Sequence, residues 1–153
     1  MSGSQTTGAI NFTDTAVWVA VNGGAFAEIC GEANSISMSG GDRDVGEFKT
    51  YCGDTPIVLP GKRNKIQVTL HIAYTEGLSD PFEVARLAYE NKGTHYQVRW
   101  IPRGNASGNF RYTTDANSSV SSAPYPMGAA DSADITAFDV TVECAYVTKD
   151  AVP

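Results

Sequence analysis

Apolar and polar residues alternate most clearly over residues 65–74. Ile66, Val68, Leu70, Ile72 and Tyr74 are interleaved there with Lys65, Gln67, Thr69, His71 and Ala73. Successive side chains of a strand point to opposite faces, so this pattern predicts a strand with one apolar and one mainly polar face. Residues 94–101 repeat it, with Tyr96, Val98 and Trp100 set against His95, Gln97 and Arg99. Residues 137–147 do so again, with Phe138, Val140, Val142, Cys144 and Tyr146 on one face. The nearly all-apolar run Ala16–Val21 predicts a strand covered on both sides, and Asn22-Gly23-Gly24 behind it supplies the positive φ angles of a tight hairpin. Weaker strands are predicted over 26–30 and 36–38, through Phe110 and Tyr112, and around Val120.

One helix interrupts the strands. Asp80 is placed to cap it, Pro81 suits its first position, and Glu83 completes a capping-box arrangement. Val84, Leu87 and Ala88 share a face flanked by Phe82, Ala85 and Tyr89, and Gly93 suits the left-handed position that ends a helix near Lys92. Many strands and one helix predict a mainly β protein, an antiparallel β-sandwich or barrel with the helix packed on it. Residues 45–52 carry Val45, Phe48 and Tyr51 without clear period. Residues 53–64 hold two prolines and two glycines, which argues against a regular strand and predicts a long loop. Ile57, Val58 and Leu59 at its centre require cover, from the same domain or from another chain.

The chain of 153 residues fits one domain over 16–150, preceded by a small, polar, flexible arm over 1–15. No run approaches the ~18 apolar residues of a membrane helix. The opening residues lack the basic and apolar regions of a secretory signal, which points to a cytoplasmic origin. Charge narrows the function further. Lys plus Arg number 11 against 17 Asp plus Glu, a net charge of −6, with no basic cluster of the kind that neutralises phosphates. A sequence-reading nucleic-acid binder is not expected.

Candidate chemistry is sparse. P-loop, nucleophile-elbow and His-Glu-x-x-His signatures are absent. His71 and His95 lie on the polar faces of two strands, so a pair is conceivable if those strands are neighbours, although solvent-facing histidines are the plainer reading. Asp42 and Asp44, or Asp131 and Asp134, offer carboxylates without the spaced ligand set of a calcium loop, and turn chemistry accounts for them. Cys30, Cys52 and Cys144 have no paired spacing, which argues against zinc or a disulfide framework. Trp18 and Trp100 sit in apolar strand patterns and read as core. With the Asn-x-Ser/Thr triplets at Asn11, Asn105 and Asn117, they weakly support an alternative: a secreted β-sandwich module that binds carbohydrate. A small hydrolase built on His71 or His95 is weaker still. No catalytic residue, cofactor or metal is expected.

The order of features carries a resemblance over roughly residues 30–150. A Gly/Asp-rich segment (40–46) precedes Phe48 and Tyr51, and Leu59-Pro60-Gly61-Lys62 leads into the alternating strand 66–74. Then come the helix opened by Asp80-Pro81-Phe82, the segment Val98-Arg-Trp-Ile-Pro-Arg-Gly104, Phe110-Arg-Tyr112, an acidic turn at 131–134, and the last strand. This succession resembles the tail tube (major tail) proteins of long-tailed bacteriophages, which share their fold with tube subunits of contractile injection systems. The last strand departs from it, with Ala145 and Val147 where the family pattern has Gly and Ser.

The resemblance implies a non-enzymatic virion protein that assembles itself. Six copies would close a ring, and rings would stack into a tube through which DNA passes without specific binding. Its partners would be other copies, the tape measure and tail terminator proteins, with no membrane. It would be assembled in the host bacterial cytoplasm and end in the virion tail. The 53–64 loop, with Ile57, Val58, Leu59, Lys62 and Arg63, would reach the neighbouring ring, and the N-terminal arm is a second candidate. Asp139 and Glu143 are candidates for the lumen.

Overall fold

The computed structural model describes residues 8–131 and 133–153. In chain order the elements are β1 (Ala16–Val21), β2 (Ala27–Glu28), β3 (Ala33–Gly40), β4 (Arg43–Phe48), β5 (Ile57–Arg63), β6 (Ile66–Ala73), α1 (Pro81–Glu90), β7 (Tyr96–Ile101), β8 (Phe110–Thr114), β9 (Ser119–Ser122), β10 (Ala137–Cys144) and β11 (Val147–Ala151). Two antiparallel sheets face each other, one ordered β11-β8-β7-β1-β2 and the other β3-β6-β10-β9. A third, two-stranded ribbon of β4 and β5 stands outside both. The expected β-sandwich with a packed helix is the architecture found.

The three alternating patterns build the core. Val68, Leu70 and Ile72 from β6, Val140 and Val142 from β10, and Tyr96 and Val98 from β7 have no exposed surface. Val17 and Val19 of β1 join them from the first sheet. The turn at Asn22 and Gly23 forms as expected, both at positive φ, with the Gly24 N–H donating to Val21 O at 2.9 Å. A buried polar knot fastens β7 and β8 to the turn before β9: Thr114 Oγ1 accepts from Val98 N–H at 2.9 Å, and the Ser118 hydroxyl donates to Tyr96 O at 2.7 Å.

Several sequence expectations are corrected here. The helix occupies the expected place, but the Asp80 carboxylate accepts from Gly77 N–H behind it and makes no side-chain cap. Glu83 instead lies 3.6 Å from Arg86. Gly93 is not at positive φ; the helix ends at Asn91, whose N–H donates to Leu87 O. Phe82, Ala85 and Ala88 form the buried stripe, while Leu87 and Tyr89 are exposed. The helix is therefore rotated so that Phe82 enters a cluster with Tyr74 and Phe138, at ring-centroid distances of 5.2 and 5.5 Å. The wholly apolar ring of Phe82 chose the face over the hydroxyl-bearing Tyr89.

The last alternating run also breaks. β10 stops at Cys144, and the chain crosses at Ala145 and Tyr146 to pair β11 with β8 in the opposite sheet. Tyr146, expected in the core, is exposed because it sits at that crossing. Of the proposed arm, residues 1–7 lie outside the described residues. Residues 8–15 form no strand or helix and are held at Thr15, whose hydroxyl donates to Pro102 O.

Candidate functional site

The loop predicted over 53–64 is in fact half a β-ribbon. β5 contains both Pro60 and Gly61 and pairs antiparallel with β4, in the register Phe48↔Ile57, Glu47↔Val58, Gly46↔Leu59 and Val45↔Pro60. Proline is excluded from central strands because it cannot donate to the ladder, but a two-stranded ribbon has only edge strands. Gly61 is required by a close approach: a Cβ there would stand 2.9 Å from Asp44 O. Arg43 Nη1 donates to Gly61 O at 2.8 Å and Asn64 Nδ2 to Asp44 Oδ1 at 3.1 Å, fastening the base.

The ribbon continues β3 and β6 outward, since Gly40 pairs with Ile66 and Arg43 with Arg63. Gly40 and Gly41, at φ 79° and 77°, make the bend between sheet and ribbon. At about 3.3 Å per residue, β4 projects roughly 20 Å from that bend. Every residue of β4 and β5 is exposed. Phe48, Ile57 and Leu59 share one face of the ribbon, and Val45 and Val58 share the other. Tyr51, in the connecting loop, is also exposed, as are Lys62 and Arg63. Two-stranded hairpins are marginal in water, so apolar side chains on both faces mark a surface built to be covered.

A second surface is the outer face of the β3-β6-β10-β9 sheet. Register places Ser35, His71 and Asp139 in one row and Ser39, Gln67 and Glu143 in another, with Ser37, Thr69 and Thr141 between them. Asp139 Oδ1 lies 2.7 Å from His71 Nδ1. Glu143 Oε1 accepts from Gln67 Nε2 at 2.7 Å and Lys65 Nζ at 2.9 Å, and these bonds hold its carboxyl below the usual range. The two candidate lumen carboxylates thus share one face, each beside a basic side chain, on a sheet rich in hydroxyls.

The other candidates are not assembled into sites. His71 lies in β6 and His95 just ahead of β7, which belongs to the other sheet, with the His95 N–H donating to Asn22 Oδ1, so the two histidines are not brought together on one sheet. The Ser35-His71-Asp139 row has the residue types of a hydrolytic triad, but no hydrogen bond joins Ser35 to His71 among the described residues. Trp18 lies opposite Arg99 and Trp100 opposite Val17, which puts the two indoles on opposite faces of one sheet, where they cannot line one groove. Trp100 is buried and stacks on Tyr112 at 5.7 Å. Among the described residues no group of three or more His, Cys, Asp or Glu side chains gathers as metal ligands. Asp42 and Asp44 belong to the ribbon base; the 131–134 turn includes a residue outside the described set. Cys144 is buried, and burial pushes its thiol up to about 11. Cys30 and Cys52 are exposed.

Sequence reasoning named Ile57, Val58 and Leu59 but not their ribbon partners Val45 and Phe48 as part of the same surface. The one signal for it was the Gly40-Gly41 pair, which ends β3 and opens the ribbon.

No protein-family model matches the chain, and no curated protein matches it. Solved structures do. A chain of the anti-feeding prophage cap, its tube terminating cap, superposes with a TM-score of 0.70 at 17% identity over 98% of this chain and 96% of that one. A chain of the PVC sheath–tube complex, an extracellular contractile injection system in the extended state, gives 0.69 at 20% identity over 97% and 100%. A chain of the PVC sheath/tube terminator gives 0.68 at 19% identity over 94% and 97%. The fold is therefore the one found in these injection-system components, and it extends over nearly the whole chain.

Proposed function

We propose that this chain is a tail tube subunit, a structural protein whose copies form rings that stack into a hollow tube. The exposed apolar ribbon carries the reading. A fold seen in tube-bearing assemblies, with a projecting ribbon that its own domain does not cover, needs a partner, and another copy supplies one. Six copies per ring is the favoured number; one likeness, at 12% identity and a TM-score of 0.63, is to a chain of a 6-fold symmetrised baseplate. Residues 16–150 would form the ring-building domain and residues 1–15 an arm reaching a neighbour.

In this arrangement the β3-β6-β10-β9 sheet lines the channel, and its open edges β3 and β9 meet those of adjacent copies, removing edges that otherwise invite aggregation. Asp139 and Glu143 would then face the lumen. With His71 beside Asp139 and Lys65 beside Glu143, they stand on a hydroxyl-rich wall. Such a wall holds no cluster of cations to grip the phosphates of DNA, and this suits passage without binding. Rings stack through the ribbon, with Ile57, Val58 and Leu59 in contact and Lys62 and Arg63 flanking them. Tape measure and terminator proteins would occupy the lumen and the tube end, in a virion tail assembled in a bacterial host's cytoplasm. No enzymatic step belongs to this role.

Sedimentation velocity of the purified chain over a range of concentrations tests it. Six-copy species and larger polymers of them are expected; a single-copy species at every concentration would overturn it.

A further inference from the structure

A groove of about 630 Å³ opens between the two sheets at their free edges, where β2 ends one sheet and β3 the other. Its lining includes apolar Phe12, Val17, Ala33 and Ile36 and the carboxylates Asp14 and Glu28, with no lysine or arginine. That size is ample for a few inserted side chains. β3 spans the molecule between this groove and the ribbon: Ala33 and Ile36 line the groove, and Gly40, at the far end of the strand, leads into the ribbon bend. Plug and socket thus lie at opposite ends of one strand.

We propose that this groove is the socket for the β4–β5 ribbon of a second copy. The inference rests on the tube reading and names the surface that the ribbon meets. A protruding patch that fits a recess elsewhere on the same molecule makes a heterologous contact, which does not close on itself and grows a filament. Charge agrees with shape. Residues 43–63 hold four of the chain's 11 basic and three of its 17 acidic side chains, leaving seven against fourteen elsewhere. A slightly basic ribbon enters an acidic socket, and such complementarity fixes register and speeds encounter. The free edge of β2 also offers unpaired backbone groups to an incoming strand.

The native cysteines provide the test. Cys30 lines the groove, Cys52 sits in the ribbon loop, and Cys144 is buried. Full-length chains, half of them ¹⁵N-labelled, are assembled, treated with a short bismaleimide, digested and mapped by mass spectrometry. Mixed-isotope Cys30–Cys52 links are expected, and Cys52→Ala should abolish them. Asn34→Trp, at an exposed position on the groove wall, should leave the melting curve intact and stop growth beyond single rings. Tubes in which Cys52 links only to Cys52, or which grow normally with Asn34→Trp, would overturn the socket and leave the tube reading standing. A wild-type chain that never associates would overturn both.

Discussion

Placing two carboxylates on the ribbon separates folding from assembly. Ile57, Val58 and Leu59 keep 52%, 55% and 66% of their surface exposed in the isolated chain. Fully burying such a side chain is worth about 1.5–3 kcal/mol, so covering what remains of each supplies roughly 1–1.5 kcal/mol, and the three together about 3–4. At about 1.4 kcal/mol per decade, that corresponds to roughly a hundred- to thousand-fold in association. Ile57 and Leu59 share a face, so Ile57→Asp with Leu59→Asp removes most of this gain and adds two charges that would need burying. The domain itself should hardly notice. Exposed substitutions fall within about 0.5 kcal/mol, which shifts the midpoint of a chain this size by roughly 2 °C or less. Circular dichroism melts and sedimentation of wild type and double variant side by side give both readouts. A variant that melts many degrees lower would show these side chains supporting their own domain. A variant that assembles at the wild-type threshold would show that the ribbon is not the contact. Either result refutes the reasoning.

Four further substitutions test parts of the structure. Tyr96 is fully buried, its hydroxyl has no hydrogen-bond partner among the described residues, and burial pushes the phenol far up, so Tyr96→Phe should stabilise the domain by about 1 kcal/mol in urea titration. A loss of stability would mean that the hydroxyl is satisfied. A Cβ at Gly40 would stand 2.4 Å from Lys65 O at positive φ, whereas one at Gly23 meets nothing within 4 Å. Gly40→Ala should therefore cost at least about 2 kcal/mol and impair assembly, and Gly23→Ala only about 1; equal effects would contradict the bend. Glu143 is held below the usual carboxylate range by Gln67 and Lys65, so its stabilisation is present above the unfolded carboxyl pKa and fades as pH falls through the lowered folded value. Glu143→Gln should cost up to about 1 kcal/mol at pH 7, and the gap should close as pH falls through the lowered folded value, which melts at pH 7 and at stepwise lower pH will compare.

Where one physical rule governed a segment, the sequence was legible. β6, β7 and the first eight residues of the last run alternate because one side meets the core, and their apolar members are the buried ones, Ile66 and Phe138 only in part. The helix could be placed by Asp80 and Pro81 but not rotated, because Leu87 and Phe82 compete for the sheet and periodicity alone does not rank them. Tyr146 was misplaced because alternation continues across the crossing at Ala145, and no local residue announces a change of sheet. The ribbon was missed for a related reason: Pro60 and Gly61 forbid a central strand, and nothing local says that this strand has a free edge. The groove draws its walls from four separated segments, and no single stretch of sequence encodes it.

Electron microscopy of the purified full-length chain at high concentration addresses the central claim most directly. If the uncovered ribbon is there to meet identical copies, the field will show rings and hollow tubes of uniform width, and the Ile57→Asp, Leu59→Asp variant will yield none. Uniform single particles of one chain, at concentrations where the wild type should polymerise, would contradict the account.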